Sequence, residues 1–130
     1  MEEVNLILPD LFSMTPLTSS KNPHYELVGD ESAKWTDSYR FFDGRDREHF
    51  MKSEFELLAA LAYPRASKED LRIACDWMNV LFVFDELGDR QDGSDTEATA
   101  NAFFAALKGV DCEYSDTAFY KYVSEYVVFI

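Results

Sequence analysis

Apolar residues in this chain return at steps of three and four, and that spacing constrains the fold more than any other feature. Leu71, Ala74, Cys75, Met78, Leu81 and Phe82 line one such stripe, which ends on Asp85. A stripe of this period buries one face of an α-helix and cannot serve a half-buried strand, where apolar residues alternate. The stripe begins at Ser67-Lys68-Glu69-Asp70, a short-acid variant of the capping box. Ser67 is the cap, and Asp70 favours the positive helix end.

The same period recurs on either side. Asn22 followed by Pro23 marks a helix start, because Asn accepts from free first-turn amides and Pro fits the first helical position. Val28, Ser32, Trp35 and Tyr39 then mark one face, and Gly44 lies in the charged turn that follows. A second amphipathic helix is predicted from about Asp46 to Tyr63, carrying Phe50, Leu57, Leu58, Leu61 and Ala62, with Pro64 closing it. The polar segment Asp89 to Asp95, with Gly93, reads as a loop. Asp95 or Thr96 can cap a helix over Ala98 to Lys108, which Gly109 stops.

Two regions fall outside this pattern. Residues 1–21 contain Pro9, Pro16 and Thr18-Ser19-Ser20 and read as an extended leader anchored by Leu6, Ile7, Leu8, Leu11 and Phe12. The tail of residues 110–130 stays apolar to its last residue, through Phe119, Tyr122, Val123, Tyr126, Val127 and Ile130. Such a tail either buries its terminus or has lost what followed. A length of 130 residues suits one domain or a piece of one.

Charge narrows the partners. With 25 acidic residues against 12 basic ones, the net charge of -13 repels nucleic acid and anionic membrane surfaces, so an anionic substrate needs a metal bridge. No apolar run is long enough to span a bilayer, and Met-Glu-Glu does not open a signal peptide. Cys75 and Cys112 are expected to be reduced thiols in a cytoplasmic protein.

If the third helix persists through Gly88, Asp85 and Asp89 stand one turn apart on the same face. Magnesium is typically held by one or two carboxylates plus substrate phosphate oxygens, which such a pair matches. Three, four, seven and eight residues before Asp85 stand Phe82, Leu81, Met78 and Trp77, all apolar. A metal clamp beside aromatic walls suits ionisation of an allylic diphosphate, since aromatic faces stabilise a carbocation and exclude water. On spacing alone, a Phe, Met and Leu stripe is more often plain core, and acids after a helix are more often a solvated end. Other candidates are weaker: a calcium loop at Asp89 to Glu97 lacks the required glycine and glutamate, His24 and His49 have no ligand partners, and Cys75 sits on an apolar face.

Leu81-Phe82-Val83-Phe84-Asp85-Glu86-Leu87-Gly88-Asp89 resembles the first metal-binding motif of class I terpene synthases, in the form common among fungal sesquiterpene synthases. Leu8-Pro9-Asp10-Leu11 resembles the leader of that family, Asn22-Pro23-His24-Tyr25 its first helix start, and Leu58-Ala59-Ala60-Leu61-Ala62-Tyr63-Pro64 the helix end before the motif. The likeness runs from about Leu6 to Lys108. It implies an all-α fold, a partial class I terpenoid synthase bundle of about four helices plus the tail.

The resemblance further implies magnesium-dependent cyclisation of farnesyl diphosphate or another prenyl diphosphate, with Asp85 and Asp89 as catalytic metal ligands and Phe82, Leu81 and Met78 against the substrate. Glu86 would point away and tune the site, and Phe84 would serve packing. Family members are longer and carry a second metal motif, Asn-Asp-x-x-Ser-x-x-Lys-Glu, and an Arg-Tyr pair. Here Asn101 is followed by Ala105 and Gly109 at the positions concerned, and no Arg-Tyr dipeptide occurs. The expectation is therefore an amino-terminal, truncated portion of such an enzyme, or else a non-catalytic helical module that binds metal or protein.

Overall fold

A computed structural model describes residues 6–130 as helices joined by short turns, with no strand among them. The helices are α1 (Leu11–Met14), α2 (Tyr25–Ser38), α3 (Gly44–Lys52), α4 (Phe55–Ala62), α5 (Lys68–Arg90), α6 (Gly93–Lys108) and α7 (Ala118–Phe129). The all-α expectation holds.

Helix α5 organises the rest, because its 23 residues carry apolar side chains on two faces. One face joins α2 and α4 in a core of Val28, Ala59, Ala60, Leu71 and Cys75. The other joins α6 and α7 in a larger, aromatic core that includes Val80, Val83, Phe103, Phe119 and Tyr122. Ser67 caps α5 as its sequence predicts, accepting from the Asp70 amide at 3.1 Å and donating to the Asp70 carboxylate at 2.8 Å.

Several local expectations change. Asn22 is almost wholly buried, and the cap position of α2 is His24. The Asn22 side chain still accepts from the His24 amide at 2.9 Å, as its sequence predicts, and its amide also donates to the Tyr63 and Ala66 carbonyls, at 2.8 and 3.0 Å, clamping the turn between α4 and α5. The helix predicted over Asp46 to Tyr63 is two helices, broken where Glu54 takes the left-handed conformation at φ 49°. The break lets Phe50 and Phe55 face each other, with ring centroids 5.1 Å apart.

The polar loop predicted at Asp89 to Asp95 shrinks to two residues. Helix α5 runs on to Arg90, and Asp92 caps α6 by accepting from the Ser94 and Asp95 amides. Asp92, three residues before Asp95, thus fills the capping role predicted for Asp95 or Thr96. The tail folds as α7, capped by the Thr117 hydroxyl, and buries Phe119, Tyr122, Val123 and Tyr126. Its last residues, Val128 to Ile130, stay exposed.

The first five residues of the predicted leader lie outside the described residues. In the remainder, Leu6, Ile7, Leu8, Leu11 and Phe12 are exposed, so the expected anchor has no apolar partner among the described residues. The leader is also not wholly extended, since α1 forms one turn capped by Asp10.

Candidate active site

Because α5 continues past Gly88, Asp85 and Asp89 both stand on regular helix, one turn apart near its carboxyl end. Both are exposed, and among the described residues neither carboxylate takes part in a hydrogen bond or ion pair. Their neighbours differ. Glu86 pairs with Arg90 at 3.3 Å, and Arg90 also binds Asp46 of α3 while lying 5.1 Å above the Phe42 ring. The one basic residue of the last turn is therefore held by other acids, leaving Asp85 and Asp89 beside the negative end of the helix dipole.

Two unpaired carboxylates at a helical step, next to that dipole end, form a donor set suited to a hard divalent cation that keeps other ligands for water or phosphate. Among the described residues no group of three or more His, Cys, Asp or Glu side chains is placed to hold a metal.

The three residues expected against a substrate separate on the structure. Phe82 stacks on Phe55, with ring centroids 3.7 Å apart and planes within 11°. Through Phe55 it extends a ladder of Phe50 and Phe42, which reaches the Arg90 end of α5. Leu81 is half-buried against the larger core. Met78, one turn further back, lines an apolar groove of about 470 Å³ together with Trp77, Tyr63 and Tyr126. Phe84 packs as expected, stacked 4.9 Å from Phe103 and 6.0 Å from Phe119.

The remaining candidates are structural. Burial, reinforced by the neighbouring Glu56 and Asp76 carboxyls, pushes the Cys75 thiol up to about 12, which leaves it inert as a nucleophile. Cys75 and Cys112 are both free thiols. His24 and His49 are exposed. A buried polar cluster joins α2, α4 and α5: the Asn79 amide donates to Glu56 at 2.7 Å and to Ser32 at 3.0 Å, and Arg72 grips Asp76 at 2.8 Å.

Sequence reasoning missed Arg90 and Phe55. The Glu86 to Arg90 step of four residues was a usable signal for the first pairing. The contact of Arg90 with Asp46 and of Phe82 with Phe55 depends on how α3 and α4 fold back, which no local spacing reveals.

No family model matches the chain. Among curated proteins it is 43% identical over 101 residues to a protein named linoleate 10R-lipoxygenase COP4 from Coprinopsis cinerea, a match covering 78% of this chain and 29% of that protein. It is 43% identical over 104 residues to the bifunctional terpene synthase Agr4 of Cyclocybe aegerita, covering 80% of this chain and 30% of the relative. It is 46% identical over 89 residues to Delta(6)-protoilludene synthase 8 of Postia placenta, covering 68% and 26%.

The chain thus spans under a third of the length of these relatives. Among solved structures it is similar to germacradien-4-ol synthase from Streptomyces citricolor, with a TM-score of 0.68 at 25% identity over 88% of this chain and 40% of that one. Helical architecture, motif order and relatives agree, and the chain belongs to the fungal class I sesquiterpene synthase family.

Proposed function

We propose that this chain supplies the first metal-binding face of a sesquiterpene synthase, in which Asp85 and Asp89 hold magnesium against the diphosphate of a prenyl substrate, farnesyl diphosphate first among them. The observation that carries the reading is the contrast at the end of α5. Glu86 and Asp46 are consumed by Arg90, whereas Asp85 and Asp89 are exposed and unpaired among the described residues. Bound magnesium would supply charge neutralisation for a departing diphosphate.

The residues of the chain would perform the other tasks. Asp85 and Asp89 would orient the cation at the helix end, with the carboxyl-terminal dipole of α5 adding to its attraction. Glu86 would act indirectly, by keeping the Arg90 charge turned toward α3. Phe82, held rigid by Phe55, and Leu81 would present apolar surface one turn behind the carboxylates, and Met78 would extend it. That surface would shield a carbocation from water. The amino-terminal placement of the chain within a longer enzyme belongs to the same proposal, since the relatives are about three times as long as the region they share with it.

Calorimetric titration with magnesium in the presence of inorganic diphosphate tests the metal site in this chain. Saturable binding that weakens by about tenfold or more in Asp85→Asn and Asp89→Asn is the expected outcome. Binding unchanged in both variants would sink the assignment. Incubation with farnesyl diphosphate and magnesium, followed by headspace analysis for hydrocarbons, reads whether the chain alone also completes the reaction.

A further inference from the structure

The last turns of α5 are gripped at both ends of the stretch that carries the carboxylate pair. At Phe82 the grip is the Phe55 ring, stacked 3.7 Å away. At Arg90 it is the Phe42 ring, 5.1 Å from the guanidinium, together with the Asp46 carboxylate. Phe42 stands in the turn before α3 and Asp46 in the first turn of that helix, 44 positions from Arg90. Phe50 joins the two grips, its ring centroid 4.9 Å from that of Phe42 and 5.1 Å from that of Phe55, and it is buried. The cradle of Arg90 is therefore anchored in the core.

The place of the Arg90 charge matters because of what stands beside it. Asp85 and Asp89 share one side of α5, and Glu86 and Arg90 share another, about 100° round the helix. Helical spacing alone gives Arg90 one partner, Glu86, in the kind of exposed pair that is weak and leaves a long side chain free to wander. The fold divides its two terminal nitrogens between Glu86 and Asp46 and adds the face of Phe42. A guanidinium held by a carboxylate over an aromatic ring keeps one place. Asp85 and Asp89 stay without an ion pair among the described residues.

We infer that Phe42 and Asp46 are positioning residues for the proposed magnesium site, acting through Arg90 to keep its charge off Asp85 and Asp89. The inference rests on the reading of those two carboxylates as the magnesium ligands. Neither Phe42 nor Asp46 would touch the ion. Released from them, Arg90 would spend part of its time beside Asp89, its neighbour in sequence, and compete with the cation.

Calorimetric titration of the 130-residue chain with magnesium in the presence of inorganic diphosphate reads the effect. Asp46→Asn and Phe42→Leu should each weaken magnesium by about two- to fivefold at low salt. In an Arg90→Met background neither substitution should change the affinity, because the charge they steer is gone. Phe42→Leu alters no charge, whereas Asp46→Asn removes one. A loss that persists beside Arg90→Met would therefore reflect bulk charge alone and would overturn the inference. If Phe42→Leu loses helix content, the cycle of Asp46→Asn with Arg90→Met decides the question by itself.

A second readout needs no metal. Side-chain protons of Arg90 over the Phe42 ring should be displaced upfield in proton NMR, and should return to ordinary positions in Phe42→Leu and in Asp46→Asn. No displacement in the parent chain overturns the inference, as does a magnesium affinity unchanged in both variants. A parent chain with displaced Arg90 protons that binds no magnesium overturns the reading of Asp85 and Asp89 and takes the positioning role with it, so the two failures are told apart.

Discussion

The hydroxyls of Thr36 and Tyr122 meet in a buried hydrogen bond of 2.9 Å across 86 residues of sequence. Trp35, beside Thr36, stacks on the same tyrosine ring with centroids 4.4 Å apart. Together these contacts seat α7 against α2 and close the aromatic core over α5. The tail is therefore part of the folded unit, and what it leaves open is the groove at its far end.

Replacing Tyr122 with Phe keeps the ring but strands the Thr36 hydroxyl, which is itself buried. A buried group left without its partner costs about 1–3 kcal/mol. Urea unfolding should show the midpoint falling with the slope unchanged. Adding Thr36→Val should recover part of the loss, because no orphaned hydroxyl then remains.

Glu56 gives a pH dependence of known sign. Burial holds its carboxyl above the ordinary value of 4.5, with Asn79 and its own backbone amide opposing the shift and Glu54 and Asp76 adding to it. Its native form keeps a proton to higher pH than its unfolded form, so stability is lost as pH rises from 4.5 through the folded value. Asp76 is shifted the same way by burial, against its contacts with Ser32 and Arg72. Glu56→Gln retains an acceptor for Asn79 and removes one titration. Thermal melts should show its stability relative to the parent chain improving from about pH 4 to about pH 7.

Arg90 is the nearest cation in sequence to the proposed metal ligands and makes only exposed or half-exposed pairs. Arg90→Met should cost under about 1 kcal/mol of stability. Removing the positive charge from the last turn of α5 should strengthen magnesium binding by about two- to fivefold at low salt. A calorimetric affinity that weakens in this variant would count against a cation site at that helix end.

Gly109 ends α6 in the left-handed conformation at φ 65°, with its amide on the Ala106 carbonyl and the Val110 amide on Ala105. Space is not the constraint, since nothing lies within 4 Å of where a Cβ would stand. Gly109→Ala should cost about 1 kcal/mol through backbone strain, and Gly109→Asn less. Chemical denaturation of the two variants side by side checks the order.

The periodic stripes, the Ser67 cap, the stop at Gly109 and the approach of Asp85 to Asp89 were legible without coordinates, because each depends on residues within one or two helical turns. Local rules also named the helix breakers correctly at Pro64. They failed where a tertiary contact outweighed local preference. At Asn22 they named the acceptor for the His24 amide but not the clamp that its own amide makes on the Tyr63 and Ala66 carbonyls. Glu54 takes a strained conformation that turns Phe55 onto Phe82.

For this protein, then, sequence alone determined the helical class, the family and the pair of carboxylates. Only the tertiary structure decided which neighbours those carboxylates keep. Helical spacing sets which side chains share a face, whereas the pairing of Arg90 with Asp46, the cover of Phe55 over Phe82 and the docking of the tail on Thr36 join residues 27 to 86 positions apart. Contacts at that range are settled by how whole helices pack, and no pattern within a single helix encodes them.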